Sequence, residues 1–261
     1  MMRRAVVLLL AASLVRSAVG QAATASAAPA RPHLTALSYN IHYAVGMDGK
    51  TDLARIARVI RDSKAGIVGL QEISNKAMAE ELGRLTKMKA VFGRSKEKDS
   101  QYGDAILCRY PFTYVGNESI PSASSSRYQA MAVDVDLSDV FGDDTKVRFV
   151  NTHFDWLPSI GSQEARLAAC EVIERAFFTG YGGPALLAGD LNAVPGSAPL
   201  ERLTAQGWFF TDLDKPRLTI GTPKPDRQID YVLVRPQKAW QVQRVHVMDE
   251  PVASDHLPIW M

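Results

Sequence analysis

The stretch ALLAGDLN, residues 185–192, joins a short apolar run to two polar side chains. Residues 185–188 are too few for a helix and have the composition of a buried strand. Asp190 and Asn192 follow at the point where this strand ends. Because a sheet fixes the positions of its strand ends while the loops beyond them stay open, we expect the two side chains to belong to a functional site.

The same arrangement recurs along the chain, with polar residues placed where apolar, strand-like runs begin or end. The residues in such positions are Asn40, Glu72, His153, Asp190, Asn192, Asp230, Asp255 and His256. One such residue alone is usually a turn or capping residue. Their repetition at successive strand ends indicates one common site.

The residue types in this set suit phosphate chemistry. Hard cations such as Mg²⁺ prefer carboxylate and water oxygens, and phosphoryl transfer needs a positioned water and donors for the charge on phosphate oxygens. The candidate carboxylates are Glu72, Asp190 and Asp255, and the candidate donors are Asn40, His153, Asn192 and His256.

Hydrophobic periodicity predicts strands that alternate irregularly with helices. We expect helices at residues 52–63, 75–86 and 163–178, and strands at 34–40, 67–71, 105–108, 130–137, 147–152, 185–188, 229–234 and 240–247. These elements fit two packed sheets with helices outside. By pattern alone, a β-sandwich and a parallel α/β fold remain alternatives.

Six segments that carry these residues resemble, in order, the motifs of the endonuclease/exonuclease/phosphatase superfamily, which contains deoxyribonuclease I. They are residues 39–41 (YNI), 70–73 (LQEI), 151–154 (NTHF), 189–192 (GDLN), 229–232 (IDYV) and 254–258 (SDHLP). Together they span nearly all of residues 34–259. The resemblance implies an α/β fold of the deoxyribonuclease I type. This is a four-layer α/β sandwich, in which two packed mixed β-sheets are flanked by helices and the site lies at one rim.

The resemblance also implies which residues lie at a metal. Glu72 would be the main ligand of Mg²⁺, and Mn²⁺ is possible because both ions suit oxygen ligands. Asn40 would lie beside it as metal ligand and substrate contact, and Asp255 would support the metal region. Arg127, just before a predicted strand, would contact substrate phosphate. The alternative for Arg127 is a solvated loop arginine.

For the reaction itself, the resemblance implies that Asp190 orients or deprotonates the attacking water. Asn192 would help to hold this water or the phosphate. His153 and His256 would bind phosphate oxygens, and Asp230 would orient the ring of His256 and favour its protonated form.

Residues 1–28 have the pattern of a signal peptide with a flexible tail, and residues 33–261 are expected to form one catalytic domain. Arg3 and Arg4 precede an apolar run at residues 5–15, which is shorter than the roughly 20 residues needed to span a bilayer. We therefore expect a secreted or periplasmic monomer with no transmembrane segment after signal removal. In an exported protein Cys108 and Cys170 can be either paired or free.

These features predict a metal-dependent phosphoester hydrolase, in which a metal-organised water attacks phosphorus in line. The expected substrate is a lipid or a small-molecule phosphodiester. A secreted endo- or exonuclease is the first alternative, but proteins that bind long nucleic acids usually carry a basic excess. Removing the signal, with its three arginines, brings the formal net charge of +2 close to zero. The second alternative is a non-catalytic phosphate-binding protein on the same fold.

Overall fold

Two β-sheets and their covering helices make up the residues that this computed structural model describes, which are 32–124, 127–142, 144–210 and 217–261. In chain order the strands are β1 (Ala36–Asn40), β2 (Ile67–Ile73), β3 (Lys89–Arg94), β4 (Gly103–Cys108), β5 (Phe112–Ser119), β6 (Gln129–Asp136), β7 (Lys146–His153), β8 (Ala185–Asp190), β9 (Asp230–Arg235), β10 (His246–Val247) and β11 (Ile259–Trp260). The helices are α1 (Leu53–Asp62), α2 (Lys76–Thr86), α3 (Ser138–Phe141), α4 (Ile160–Phe178) and α5 (Ala198–Ala205), with 3₁₀ turns at His42–Ala44 and Gln237–Ala239. The predicted signal peptide, residues 1–28, lies outside the described residues.

Both sheets are mixed. The first has the strand order β10-β11-β1-β2-β4-β3, in which β1 and β2 are parallel and their outer neighbours antiparallel. The second has the order β5-β6-β7-β8-β9, with β7 and β8 parallel. Every residue of β1 and of β8 is buried, which requires cover on both faces of each sheet.

The apolar core has three layers, which lie between four layers of secondary structure. Phe149 belongs to the layer between the two sheets. Ile60 of α1 and Leu82 of α2 pack on the outer face of the first sheet. Ile173 of α4 and Leu203 of α5 pack on the outer face of the second. This four-layer α/β sandwich confirms the predicted fold class.

Polar side chains determine where three of the helices begin. The side-chain oxygens of Asp52 and Asn75 each accept the N–H group three residues further on at 2.9 Å, so α1 and α2 start one residue after the predicted positions. Ser159 caps α4 in the same way, through the N–H of Ser162 at 3.1 Å. This helix therefore begins three residues earlier than predicted.

The strand predicted at residues 240–247 is wrong over most of its length. The side chains of Trp240, Val242 and Val245 do pack on the core between the sheets, but the chain pairs as a strand only at His246–Val247. Apolar side chains can pack on a core without backbone pairing, whereas a strand also needs a partner with free backbone groups. The pattern does not predict β3, β5, β11, α3 or α5.

Cys108 and Cys170 are both free and buried. Cys108 lies in the core layer between the sheets and Cys170 in the layer under α4. Their separation into different layers accounts for the absence of a disulfide between them. Among the described residues, no helix is both long and apolar enough to cross a bilayer.

The side chain of Asn151 connects the two sheets close to the rim where the predicted site residues lie. From β7 of the second sheet, its amide nitrogen donates to the backbone oxygens of Leu70 at 2.9 Å and Ala105 at 3.1 Å. Its oxygen accepts from the side-chain nitrogen of Gln71 at 2.6 Å. A Cβ on Gly69 would lie 2.5 Å from this oxygen, so the close approach of Asn151 requires glycine there.

Replacement of Asn151 by alanine should destabilise the fold strongly. It removes three buried hydrogen bonds, including the short one to the buried side-chain nitrogen of Gln71, so we expect a loss of about 3 kcal/mol in the free energy of unfolding. Urea denaturation measures this loss. Asn117→Ala is the matched control, because Asn117 also bonds across the sheets, to the Arg94 oxygen, but at an exposed edge. It should cost about 1 kcal/mol; equal losses would contradict a special role for Asn151.

Candidate active site

The predicted residues meet at one rim of the sandwich. His153, Asp190 and Asp230 end or begin three adjacent strands, and the register places His153 beside Asp190 and Asp190 beside Asp230. Asn40 is the last residue of β1 in the other sheet. Its side chain reaches Asp190, so the rims of the two sheets face each other.

Three donor nitrogens converge on one oxygen, Oδ2 of Asp190. Nδ2 of Asn40 lies 3.1 Å away, Nε2 of His153 3.4 Å and Nε2 of His256 3.7 Å. The other oxygen, Oδ1, accepts the N–H of Asn192 at 3.0 Å. A single buried carboxylate is therefore the centre of the site.

Asp190 is poised to exchange a proton near neutral pH. Burial raises its pKa, and the neighbouring charge of Asp230 adds to the effect. The charge of His256 and the hydrogen bond from Asn40 oppose them, and the pKa of Asp190 lies at about 7. A base with a pKa close to the ambient pH is well suited to take a proton from water.

His256 carries a positive charge in this site. Burial alone would lower its pKa, but the carboxylates of Asp230 and Asp190 outweigh burial and raise the pKa of His256 to about 10. Nδ1 lies 2.9 Å from Oδ2 of Asp230. The ring thus bonds Asp230 through Nδ1 and directs the N–H of Nε2 towards Asp190.

His153 is neutral, in contrast to His256. Burial, followed by the positive charges of His256 and Arg127, lowers the pKa of His153 to about 3. Its Nδ1 lies 3.1 Å from the hydroxyl of Tyr102. Tyr102 is not among the residues that the sequence assigns to the site, although it directly precedes β4, which begins at the same rim.

Glu72 occupies an unusual backbone position. It lies at an irregularity in the pairing of β2 with β4 and has a φ of 61°, a left-handed conformation that is rare and costly outside glycine. Its Oε1 accepts from Nδ2 of Asn40 at 3.2 Å. Burial raises the pKa of Glu72. The hydrogen bond from Asn40 lowers this pKa, and the negative charge of Asp255 raises it further.

The chemistry of these residues fits a hard cation beside Glu72. Glu72 is partly buried and Asp255 has 36% of its side chain exposed, so neither carboxylate is closed off from a cation that keeps several waters. The repulsion between their charges, which raises the pKa of Glu72, would be relieved by such an ion. Asn40 turns its nitrogen towards Glu72, while its oxygen accepts the N–H of His42 at 3.1 Å.

A second group, Asp190, Asp230 and His256, also brings potential metal-ligand atoms within 4.8 Å of one another. Nδ1 of His256 is already bonded to Oδ2 of Asp230 at 2.9 Å, so these two atoms are engaged with each other. We interpret this group as a hydrogen-bonded acid–base set.

Asn192 closes the loop that follows Asp190. Its backbone is left-handed, with a φ of 45°, and its side-chain nitrogen donates to the backbone oxygen of Phe154 at 2.9 Å. These contacts join the ends of β7 and β8, and they orient the N–H that Asn192 donates to Asp190.

Arg127 is half-buried at the edge of the site rather than free in solvent. Its guanidinium lies 5.2 Å from the ring centre of Tyr102 and 5.5 Å from that of Tyr128. Nη1 donates to the hydroxyl of Tyr43 at 3.4 Å. Tyr43 belongs to the left-handed turn His42–Ala44 after β1, so the contact joins loops from the two sheets.

Asp155 holds the loop that leads towards Arg127, a role that the sequence does not predict. Its buried carboxylate accepts hydrogen bonds from the hydroxyl of Ser122, the N–H of Ala123 and the hydroxyl of Ser162 at 2.7–3.0 Å. Burial alone would raise the pKa of Asp155, but hydrogen bonds from the N–H of Leu157, from the hydroxyls of Ser122 and Ser124 and from the N–H of Ala123 lower it to about 2. The carboxylate therefore stays charged and ties this loop to the start of α4.

The charge on His256 should depend on Asp230. Asp230→Asn keeps the shape of the side chain but removes the charge, so the pKa of His256 should fall by at least about one unit. NMR titration of the His256 ring proton on Cε1 measures this pKa. Asp255→Asn removes a weaker influence on His256 and should lower the pKa less. An unchanged pKa of His256 in Asp230→Asn would show that Asp230 does not determine the charge of His256.

Solved structures share this fold. An endonuclease/exonuclease/phosphatase from Beutenbergia cavernae DSM 12333 is 24% identical over 88% of this chain and 71% of its own, with a TM-score of 0.71. A mannosyl-6-phosphatase from Bacteroides thetaiotaomicron VPI-5482 is 18% identical over 87% and 98%, with a TM-score of 0.70. The human Nocturnin catalytic domain is 17% identical over 88% and 93%, with a TM-score of 0.63. At these identities the likeness concerns the fold.

Comparison at the level of sequence gives a narrower result. A search of curated proteins finds no match. The profile of the Endonuclease/Exonuclease/phosphatase family, in contrast, matches residues 37–256. This match spans both sheets and contains all the residues of the site described above, so the chain belongs to the Endonuclease/Exonuclease/phosphatase family.

Proposed function

We propose that this protein is an exported, divalent-metal-dependent hydrolase of phosphoesters, with a lipid or small-molecule phosphodiester as substrate. The observation that carries the proposal is the convergence of Asn40, His153 and His256 on the Asp190 carboxylate. This arrangement places a base with a pKa of about 7 among donors suited to phosphate oxygens.

Asp190 accepts the proton of the attacking water, because it is a buried carboxylate whose pKa lies close to neutral pH. His256, as an imidazolium, donates from Nε2 to a phosphate oxygen and stabilises the negative charge that grows there. His153 donates a neutral N–H to the same group. Asp230 keeps His256 charged and oriented throughout.

Glu72 and Asp255, with Asn40 beside them, would hold Mg²⁺ or Mn²⁺. Such an ion supplies charge neutralisation at the phosphate and orients the attacking water. Asn40 links this region to Asp190, since its Nδ2 bonds both carboxylates. Arg127, held between aromatic rings, offers a further positive charge to the substrate phosphate.

The surroundings of the site favour a substrate with an apolar part. Trp156 and Ile160 follow His153, and Val194 follows Asn192, and these side chains are 57%, 77% and 43% exposed. Removal of the signal also leaves a chain close to neutral, which favours a small or lipid phosphodiester over a long polyanion. The pattern of residues 1–28 supports export to the periplasm or the medium.

Glu72→Gln tests the mechanism. We expect hydrolysis of bis(p-nitrophenyl) phosphate in Mg²⁺ to fall at least about 100-fold, because the variant loses a metal-binding charge while its shape is kept. Glu80→Gln makes the same change at an exposed residue of α2 and should keep the wild-type rate. EDTA should abolish the wild-type activity, and Mg²⁺ or Mn²⁺ should restore it. A fully active Glu72→Gln protein would refute the mechanism.

A substrate panel separates the proposed function from its alternatives. Sphingomyelin, an inositol phosphate and supercoiled plasmid DNA are each incubated with the wild-type protein and with Glu72→Gln. Turnover of a lipid or small phosphoester without plasmid nicking supports the proposal, whereas nicking that depends on Glu72 identifies a nuclease. Tight binding of phosphate without turnover of any substrate identifies a non-catalytic phosphate-binding protein.

A further inference from the structure

The ring of His153 lies between two hydrogen-bonding groups, one at each nitrogen. The hydroxyl of Tyr102 is 3.1 Å from Nδ1, and Oδ2 of Asp190 is 3.4 Å from Nε2. His153 is 3% exposed and Tyr102 8%, so solvent has little access to these contacts. The two neighbours together decide which nitrogen carries the proton of the neutral ring.

A proton on Nδ1 would leave two unfavourable contacts. Nε2 would then turn a lone pair towards the Asp190 carboxylate, which repels it. The Tyr102 hydroxyl would have to accept, and its own proton would lack an acceptor among the described residues. Buried polar groups rarely stay unpaired, so this tautomer is disfavoured on both sides of the ring.

A proton on Nε2 satisfies both contacts. The Tyr102 hydroxyl then donates to the lone pair of Nδ1, and the N–H of Nε2 points at Asp190. Burial holds the pKa of Tyr102 well above its usual range, so the hydroxyl keeps its proton and remains a donor.

The position of Tyr102 is fixed by its own neighbours. Its N–H donates to the hydroxyl of Ser100 at 3.2 Å, and its backbone oxygen accepts the N–H of Ser95 at 2.8 Å. The guanidinium of Arg127 lies 5.2 Å from the centre of its ring. The hydroxyl is therefore held at Nδ1 by the connection between β3 and β4.

We propose that Tyr102 is a positioning residue that donates to Nδ1 of His153 and so holds this histidine in the Nε2–H tautomer. With the opposite tautomer, His153 would present a lone pair to the substrate and repel a phosphate oxygen. The consequence for catalysis rests on the proposed function, whereas the tautomer itself is measured without substrate.

Nitrogen-15 NMR of histidine-labelled protein reads the tautomer directly. The spectrum is recorded at pH 8.5, above the pKa of Asp190, and the signals of His153 are identified by their loss in His153→Gln. In the wild type we expect a pyridine-type Nδ1 and a pyrrole-type Nε2. In Tyr102→Phe the two signals should move towards each other, as the Nδ1–H form becomes populated.

Tyr128→Phe is the matched control. Tyr128 also touches His153, but through its ring, whose centre is 5.1 Å from that of the histidine. Removal of the Tyr128 hydroxyl should leave the Nδ1 and Nε2 signals of His153 unchanged. In hydrolysis of bis(p-nitrophenyl) phosphate, Tyr102→Phe should lower kcat about tenfold with little change in KM.

Several results would overturn the assignment of Tyr102. A pyrrole-type Nδ1 in the wild type would show the opposite tautomer. Unchanged signals in Tyr102→Phe would show that the hydroxyl does not bond to His153. In Tyr102→Phe, the Nδ1 signal could instead move only away from the Nε2 signal. This result would show that Asp190 by itself determines the tautomer. If neither the wild type nor any variant hydrolyses a phosphoester, the proposed function is wrong. The NMR experiment still tests the tautomer of His153 independently.

Discussion

The hydrogen bonds of Asn151 hold the two sheets at a fixed separation where the site is built. Asn151 lies two residues before His153, and its partners Leu70 and Gln71 directly precede Glu72. The apolar core between the sheets has no directional preference, so it brings the sheets together without fixing their rims to within an ångström. The polar cross-link supplies this precision, because slippage would break three buried hydrogen bonds and leave the Asn151 amide unpaired.

The site depends on two adjacent histidines in opposite charge states. His256 has carboxylates at both nitrogens and is charged, whereas His153 has a phenol at one nitrogen and lies in the field of the charged ring. One fully buried carboxylate, Asp190, faces both. A second positive ring at His153 would be costly in this buried space. The site therefore offers two N–H donors while it carries only one histidine charge.

The sequence predicts the layers of the fold and the strand-end residues of the site, because both depend on local patterns. Hydrophobic runs reveal central strands such as β8, while β5 is mostly exposed at an edge and lacks such a run. Tyr102 escapes prediction because its role depends on a contact with a residue 51 positions away. Asp155 escapes because a lone aspartate in a loop has many structural uses, and its partners in the Ser122 loop become neighbours only on folding.

We propose that a cation binds beside Glu72 and Asp255, whereas Asp190, Asp230 and His256 form an acid–base set without metal. Crystals of the protein grown with Mn²⁺ test this claim by anomalous scattering. We predict an anomalous peak next to the carboxylates of Glu72 and Asp255, with Nδ1 of His256 still bonded to Asp230. A peak held by Asp190, Asp230 and His256 in its place would contradict both the assigned roles and the charge on His256.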